Sequence, residues 1–383
     1  MAYVAIQGGA AAIRGAADAL EFQRTRHGLE GGDPLDLLSI GRQLSSLQSR
    51  VLSEGGVYHP ELANLAIKQS MGDTLEAAFT LRAYRSTRPR LGTTAAHDTD
   101  GMRLIRRVSA AFKDIPGGQH LGPTRDYSKR LLRFELADED PQAFAETARA
   151  WLQNNGADAI PPGQLTFPRV VEHLRAQGLL PPLDPAHQSA VPMDITREAL
   201  VFPLPRSGVL SVLSRGETGG VLAMGYSVMR SYGDIHPTIA ELRVGYLPVQ
   251  MPHPITGEPV EAGEVLMTEC QVIAMFAADD VVDGRPSFGL GYGCCFGHNE
   301  HKAIAMAMLD RSLIQGQNSG VTSPNQDQEF VLLHVDGIES MGFCNHYKLP
   351  HYVTFQSDLD RLRQAQKNHA AGMRAGEAAE EKP

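Results

Sequence analysis

The chain has little cysteine, few aromatic residues and no long apolar run. Its 383 residues include four cysteines and one tryptophan, and aromatics make up 6%. Cys270, Cys294, Cys295 and Cys344 form no CxxC pair, and adjacent cysteines such as Cys294 and Cys295 rarely bridge each other, so reduced thiols are expected rather than a disulfide framework. No stretch approaches the roughly 20 apolar residues that span a bilayer, and no charged segment followed by a signal-type apolar core opens the chain. A soluble, cytoplasmic protein without membrane association is expected. Neither GxGxxG nor GK[ST] follows the first glycines, Gly8-Gly9, which read as a plain tight turn, and HExxH is absent. The formal charge of -9 opposes non-specific attraction to nucleic acid, so no nucleic-acid partner is expected and any phosphate site must be local.

A hydrophobic content of 42% is enough for two cores in a chain of this length. Tyr3 to Gln7 reads as a short strand, followed by an Ala-rich helix that ends near His27-Gly28. Leu37, Ile40, Leu44, Leu47 and Val51 recur at helical spacing and predict one amphipathic helix stopped by Gly55-Gly56. Pro60 can open the next helix, and Asp73 with Glu76 forms a capping box before another. From 137 to 205 proline, alanine and acidic residues dominate, predicting a poorly packed connector with a short helix over Phe167 to Gln177. Beyond it, Glu241–Tyr246 and Glu264–Cys270 have strand character, Asn299 is placed to cap a helix to about Ile314, and a last helix spans Gln356 to Gln366. The expected fold is α+β: a mainly helical domain over 1–136, the connector over 137–205, a mixed β-containing domain over 206–369 and a mobile tail over 370–383.

The strongest chemical pattern is Cys344-Asn345-His346-Tyr347-Lys348-Leu349-Pro350-His351-Tyr352. Pro350 forbids continuous helix between His346 and His351, so both imidazoles can face one point. A zinc ion wants about four donors and two are present, so the site is incomplete by itself; the same spacing also fits ordinary exposed loop histidines. Cys294 and Cys295 read as packing residues, Asp327 and Glu329 as helix-start residues, and His334 as a hydrogen-bonded core histidine rather than a third ligand.

The histidine segment, together with Leu81-Arg82-Ala83-Tyr84-Arg85, Gly101-Met102-Arg103-Leu104, Lys113-Asp114-Ile115-Pro116-Gly117-Gly118-Gln119, Leu121-Gly122-Pro123-Thr124, Leu266-Met267-Thr268-Glu269-Cys270 and Asp327-Gln328-Glu329-Phe330-Val331-Leu332, resembles the I subunit of bacterial carbon-phosphorus lyase. The matches fall in family order from Tyr3 to about Phe355. The resemblance implies a reaction in which an alkylphosphonate displaces the purine of ATP or GTP, giving a ribose 1-alkylphosphonate 5-triphosphate, with base hydrolysis by the subunit alone. It also implies partners: the G, H and J subunits in a two-fold core with two copies of this chain, ATPase-type K and L subunits beside it, and zinc shared with J. In the alternative reading, the chain is the architectural core of the complex and contributes two histidines to a site shared with J.

Breaking a glycosidic bond at the anomeric carbon asks for a carboxylate, a donor to the leaving base, and cations or amides for the triphosphate with its magnesium. Under the resemblance, Arg103, Arg106 and Arg107 on one helical face, with Lys113, Asp114, Gly117 and Gly118, are the expected triphosphate site. Glu269 is the first candidate carboxylate, placed at the end of an apolar strand where dry surroundings raise proton affinity, and Asp234 is the second. Glu241 and His236 compete with them.

Overall fold

The structure is a computed structural model that describes residues 9–155, 167–183, 191–230, 237–274, 280–349 and 351–380. The strand expected at Tyr3–Gln7 lies outside them. The chain is α+β, with a four-stranded antiparallel sheet and a two-stranded ribbon among the described residues. Internal contacts divide it into a unit over Leu35–Ile338 and a second unit made of Met1–Pro34 and Glu339–Pro383.

In the larger unit four helices come first: α2 (Leu37–Gln43), α3 (Ser45–Gly55), α4 (Pro60–Gln69) and α5 (Thr74–Ser86), where α1 is Gly9–Thr25 of the other unit. The single helix expected from Leu37 to Val51 is two, because Leu44 leaves helical geometry at φ -114, ψ 35. Gly56 closes α3 in the left-handed conformation, and Asp73 caps α5 by accepting from the Leu75 and Glu76 amides. Their apolar faces meet in one core around Ile40, Val51, Leu52, Ala63, Ile67 and Leu81.

The sheet has the order β1-β2-β3-β6, with β1 at Arg103–Val108, β2 at Pro237–Pro252, β3 at Pro259–Ala274 and β6 at Gly289–Phe296. The ribbon is β4 (Val281–Val282) with β5 (Arg285–Pro286). Side chains alternate across a strand, so the sheet sorts its residues between two faces. Leu242, Cys270, Val272 and Cys295 enter the largest core, which also takes α8 (Arg206–Arg215), α9 (Thr218–Arg230), α10 (Glu300–Ser319) and α11 (Gln328–His334). Helix α6 (Pro141–Asn155) and α7 (Val170–Ala176) precede these in the chain.

Helix α10 lies hard against β6. A Cβ at Gly291 would sit 2.1 Å from the Ala307 carbonyl oxygen, and one at Gly293 would sit 2.2 Å from that of Ala303. The helix runs on to Ser319, past the expected Ile314. Asn299 precedes it without a side-chain cap, because its amide donates instead to the Ser49 and Phe296 carbonyls and ties α3 to the sheet.

The opposite face of the sheet is roofed rather than left open. The segment expected as a loose connector provides part of the roof: Val170, Val171, Leu174 and Leu180 are buried with Ile115, Ala240 and Ile273. A second small apolar patch, of Met102, Leu104 and Leu247 with Phe167, Val265 and Met267, also packs there.

In the second unit, α12 (Gly337–Tyr347), whose first two residues close the larger unit, and α13 (Tyr352–Glu380) flank the histidine segment. Helix α13 begins earlier than the expected Gln356 and continues to Glu380, through the stretch expected as a tail. No helix among the described residues is long and apolar enough to cross a membrane. Because glycine at β6 sets the helix–sheet distance, Gly293→Ala should lower the unfolding free energy by about 1–3 kcal/mol, read from urea denaturation.

Candidate functional site

The cross-strand register builds an ionic layer on the roofed face. Arg107 of β1 pairs in register with Arg243 of β2, Arg243 with Glu269 of β3, and Glu269 with Cys294 of β6. One step along, Glu241 stands opposite Gln271, and Gln271 opposite Tyr292. Period-two alternation therefore puts Arg107, Glu241, Arg243, Glu269 and Tyr292 on one side of the sheet, as their mutual bonds also require. Arg169, just before α7, descends onto them from the roof.

Glu269 is 2% exposed, and both of its oxygens are occupied. Its Oε2 accepts from Arg243 Nη2 at 2.6 Å and Arg169 Nη2 at 3.0 Å, while Oε1 accepts from the Thr99 hydroxyl at 2.8 Å and the Tyr292 hydroxyl at 3.0 Å. Glu241 takes Arg107 Nε at 2.5 Å and Arg169 Nε at 2.9 Å. Arg169 reaches outward as well, to Asp100 at 2.8 Å, whose side chain is 55% exposed. Three guanidiniums, of Arg107, Arg169 and Arg243, thus face three carboxylates, of Asp100, Glu241 and Glu269. Charges removed from water persist only when paired and bonded in this way.

Burial by itself would raise the Glu269 carboxyl, but the Arg243 and Arg169 charges outweigh it and hold the group below the ordinary glutamate value. Dry surroundings were expected to increase its proton affinity; the two arginines reverse that expectation. Burial, with Cys294 and Glu269 beside it, keeps Tyr292 a protonated phenol and hence a donor. Burial likewise pushes up the Cys270, Cys294 and Cys295 thiols, which suits packing residues rather than thiolate ligands.

The arginines expected on one helical face lie on a strand. Arg106 and Arg107 consequently point to opposite sides of the sheet. Arg106 is buried against Glu300 at 2.9 Å, Asp126 and the Leu121 carbonyl. Arg107 is fully buried and donates to the Pro116 carbonyl at 2.8 Å, the Gly118 carbonyl at 3.1 Å and the Pro168 carbonyl at 2.8 Å, with the Phe167 ring against its guanidinium. The glycine turn is therefore held through its carbonyls by an arginine. Gly117 is required there, since φ is 81° and a Cβ would meet Phe167 at 2.0 Å. Lys113, Asp114, Gly117 and Gly118 are exposed. Arg103 pairs with Glu264 at 2.7 Å over the Tyr246 ring, also partly exposed. Asp234 and His236 lie outside the described residues. Residues not singled out from sequence, Thr99, Asp100, Arg169, Arg243 and Tyr292, complete the layer.

The histidine pair lies in the second unit. His346 and His351 bring their Nε2 atoms to 3.1 Å, with the rings at 87°. Two nitrogens on one tetrahedral zinc, at bonds of ~2.0–2.1 Å, stand about 3.3 Å apart, so little movement separates this arrangement from a chelate. His351 Nδ1 lies 2.5 Å from the Leu349 carbonyl oxygen, a contact that places the proton on Nδ1 and leaves the Nε2 lone pair facing His346. Both histidines are exposed, and no cluster of three or more His, Cys, Asp or Glu residues suited to a metal occurs among the described residues. His334 bonds the Phe330 carbonyl at 2.6 Å, but is exposed rather than in the core. Asp327 caps α11 through the Phe330 amide, in line with its reading as a helix-start residue.

Residues 2–369 match the family model for the bacterial phosphonate metabolism protein PhnI. A protein named as C-P lyase subunit HtxH of Stutzerimonas stutzeri is 61% identical over 371 residues, covering 97% of this chain and 98% of the relative. The alpha-D-ribose 1-methylphosphonate 5-triphosphate synthase subunit PhnI of Escherichia coli K12 is 44% identical, covering 96% and 99%. The protein of the same name from Rhizobium meliloti 1021 is 39% identical, covering 98% and 97%.

Removing one charge from the ionic layer strands its partners. Glu269→Gln should cost about 3–5 kcal/mol of stability in urea unfolding, whereas Arg103→Gln, which breaks a half-exposed pair, should cost at most about 1 kcal/mol. A depressed folded pKa gives stability that is present above the unfolded glutamate value of about 4.3 and is lost as pH falls below it toward the folded one. The wild-type melting temperature should accordingly drop on acidification below that point, with a smaller drop in Glu269→Gln.

Proposed function

Because the chain belongs to the bacterial phosphonate metabolism family PhnI, we propose that it acts as a subunit of a carbon-phosphorus lyase system that replaces the purine of ATP or GTP by an alkylphosphonate. The product is a ribose 1-alkylphosphonate 5-triphosphate. Without phosphonate and partner subunits, water takes the nucleophile's place and the chain releases the base hydrolytically.

The observation that carries the assembly part of this reading is the His346–His351 pair. It offers two aligned nitrogens, exposed, among described residues that supply no third ligand. Around it, Phe343, Tyr347, Tyr352, Val353 and Phe355 are each more than half exposed. Aromatic and apolar surface of this kind is characteristic of protein interfaces. The pair would hold a zinc ion whose remaining ligands come from the J subunit, and bound zinc would supply Lewis-acid polarisation there.

For the glycosidic step, Glu269 is an ionised carboxylate at the floor of the ionic layer, and Asp100 and Thr99 are its outer rim. An ionised carboxylate favours an oxocarbenium-like sugar electrostatically. Asp100 is the exposed partner in the layer, so an incoming triphosphate would compete with it for Arg169. In this conformation Glu269 is fully bonded, which favours a positioning role until substrate opens the rim.

Chromatography of ATP incubated with the purified chain tests the reading. Free adenine should accumulate. It should persist with His346→Ala/His351→Ala, while that double variant fails to retain zinc in the assembled complex. Asp100→Asn, which removes the charge that competes for Arg169 and leaves the buried carboxylates intact, should lower the KM for ATP severalfold without unfolding the chain. Absence of adenine from wild type would remove the autonomous activity, and zinc retained by the double variant in the complex would remove the shared metal site.

A further inference from the structure

The segment Leu81-Arg82-Ala83-Tyr84-Arg85 takes no part in either place described above. Three residues apart on α5, Arg82 and Arg85 share a helix face. Arg82 is committed: it donates to Asp336 at 2.8 Å and to the Glu54 carbonyl at 2.7 Å. Arg85 is half-buried, and among the described residues its guanidinium has no hydrogen-bond or ion-pair partner. Guanidinium carries five donors, and those of Arg85 reach solvent, where an anion can take the place of water.

Arg85 lines an open cavity of about 360 Å³ between α3, α8 and the β6 edge of the sheet. That is at the small end of the ~300–1,000 Å³ usual for ligand sites. Its other polar lining comes from Ser53, Thr196, Ser211, Ser214 and Arg215; the Ser53, Thr196 and Ser211 hydroxyls already donate to the Ser214 carbonyl, Asp194 and the Ser207 carbonyl, which leaves the Ser214 hydroxyl for a ligand. Hydroxyls and guanidinium are the groups that bind phosphoryl oxygens, the arginine by two parallel N–H bonds.

The local charge is positive in a chain whose total is -9. Arg82 and Arg215 share Asp336, at 2.8 and 3.6 Å, and Arg90 holds Asp194 at 2.6 Å. The charges that act on Arg85 are those of Arg82 and Arg90, of like sign, and of one carboxylate, Asp194. Deeper in, Arg50 bonds Glu54 and Glu217, and the buried Lys302 ammonium feels both acids, so those four charges cancel. Burial, and then the like charge of Arg82, lowers the proton affinity of Arg85, with Asp194 opposing and Arg90 adding to the effect. An anion in the cavity would relieve both.

We propose that this cavity binds one tetrahedral phosphonate or phosphate group, with Arg85 as its principal ligand and the Ser214 hydroxyl beside it as a second donor. The group belongs to an alkylphosphonate, to inorganic phosphate or to the terminal phosphate of a nucleoside triphosphate. The site deepens the reading of the chain as a phosphonate-handling subunit and rests on it only for the choice of ligands. Its lining includes Cys294, the register partner of Glu269, but none of the charged groups of the ionic layer, so a protein that releases no adenine can still bind here.

Isothermal titration of the full-length chain with methylphosphonate, inorganic phosphate and ATP, each alone, tests the proposal and separates the sources. At least one is expected to bind wild type and to lose tenfold or more in affinity in Arg85→Gln, with Arg85→Lys intermediate because it keeps the charge but loses the fork. Arg24→Gln, on α1, is expected to bind as wild type does. Independently of any variant, phenylglyoxal labelling of Arg85 in wild type, read by mass spectrometry, is expected to slow when the binding ligand is present. No binding of any of the three, affinity unchanged in Arg85→Gln, or labelling unaffected by ligand would overturn it.

Discussion

Arg243 and Glu269 occupy partner positions on adjacent antiparallel strands, and the ion pair between them is the constraint from which the rest of the larger unit follows. A carboxylate at the floor of a sheet face cannot be left dry without cations, and a second cation, Arg169, has to come from outside the sheet. Bringing Arg169 down fixes the start of α7. Bringing the Thr99 hydroxyl in fixes the turn before β1, since Arg243 also donates to the Thr99 carbonyl at 2.9 Å. Arg107 then shapes the Pro116–Gly118 turn through its carbonyls. Polar residues of three separate loops are thus roofed over a sheet whose other face is an ordinary apolar core against α10. Small hydrophobic patches around Ile115 and around Met102 pack on the same roofed face and keep the layer dry.

The other chemistry is of a different kind. In the ionic layer every buried charge already has partners, which suits rigid positioning. At His346 and His351 two nitrogens are aligned and exposed, which suits a ligand set finished by another chain. At Arg85 a cation with no partner among the described residues lies beside an open cavity, which suits a mobile anion. Closed, half-built and open sites in one chain fit the proposed division of labour within an assembly, in which the remaining donors would arrive with substrate or with other subunits.

Much of this was legible in the sequence, and the failures have definite causes. The α+β class, the caps at Gly56 and Asp73, the strands around Glu241–Tyr246 and Glu264–Cys270, and the convergence of His346 with His351 follow from spacing and local chemistry. The arginines of 103–107 were misread as a helix because Arg-Leu-Ile-Arg-Arg-Val is too short to distinguish period 3.6 from period 2, and the irregularity between Leu104 and Arg106 has no sequence signature. Glu269 was legible as a buried strand carboxylate, but its proton affinity depends on arginines contributed from 26 and 100 residues away. Arg169 was hidden in a proline- and alanine-rich stretch read as loose. One signal was available: it stands between Pro168 and the apolar run Val170-Val171, where an arginine has to be carried inward with its neighbours.

The central claim is that the ionic layer fastens the three roofing loops to the sheet, beyond adding to global stability. Native-state hydrogen exchange of Glu241→Gln, in the full-length chain under conditions where it stays folded, tests it most directly. The account predicts faster exchange at the amides of 99–102, 107–120 and 169–174, which Arg107 and Arg169 hold down, while the β2–β3 ladder and α10 keep their protection. Uniform loss across the sheet and α10, or no change in the loops, would contradict it.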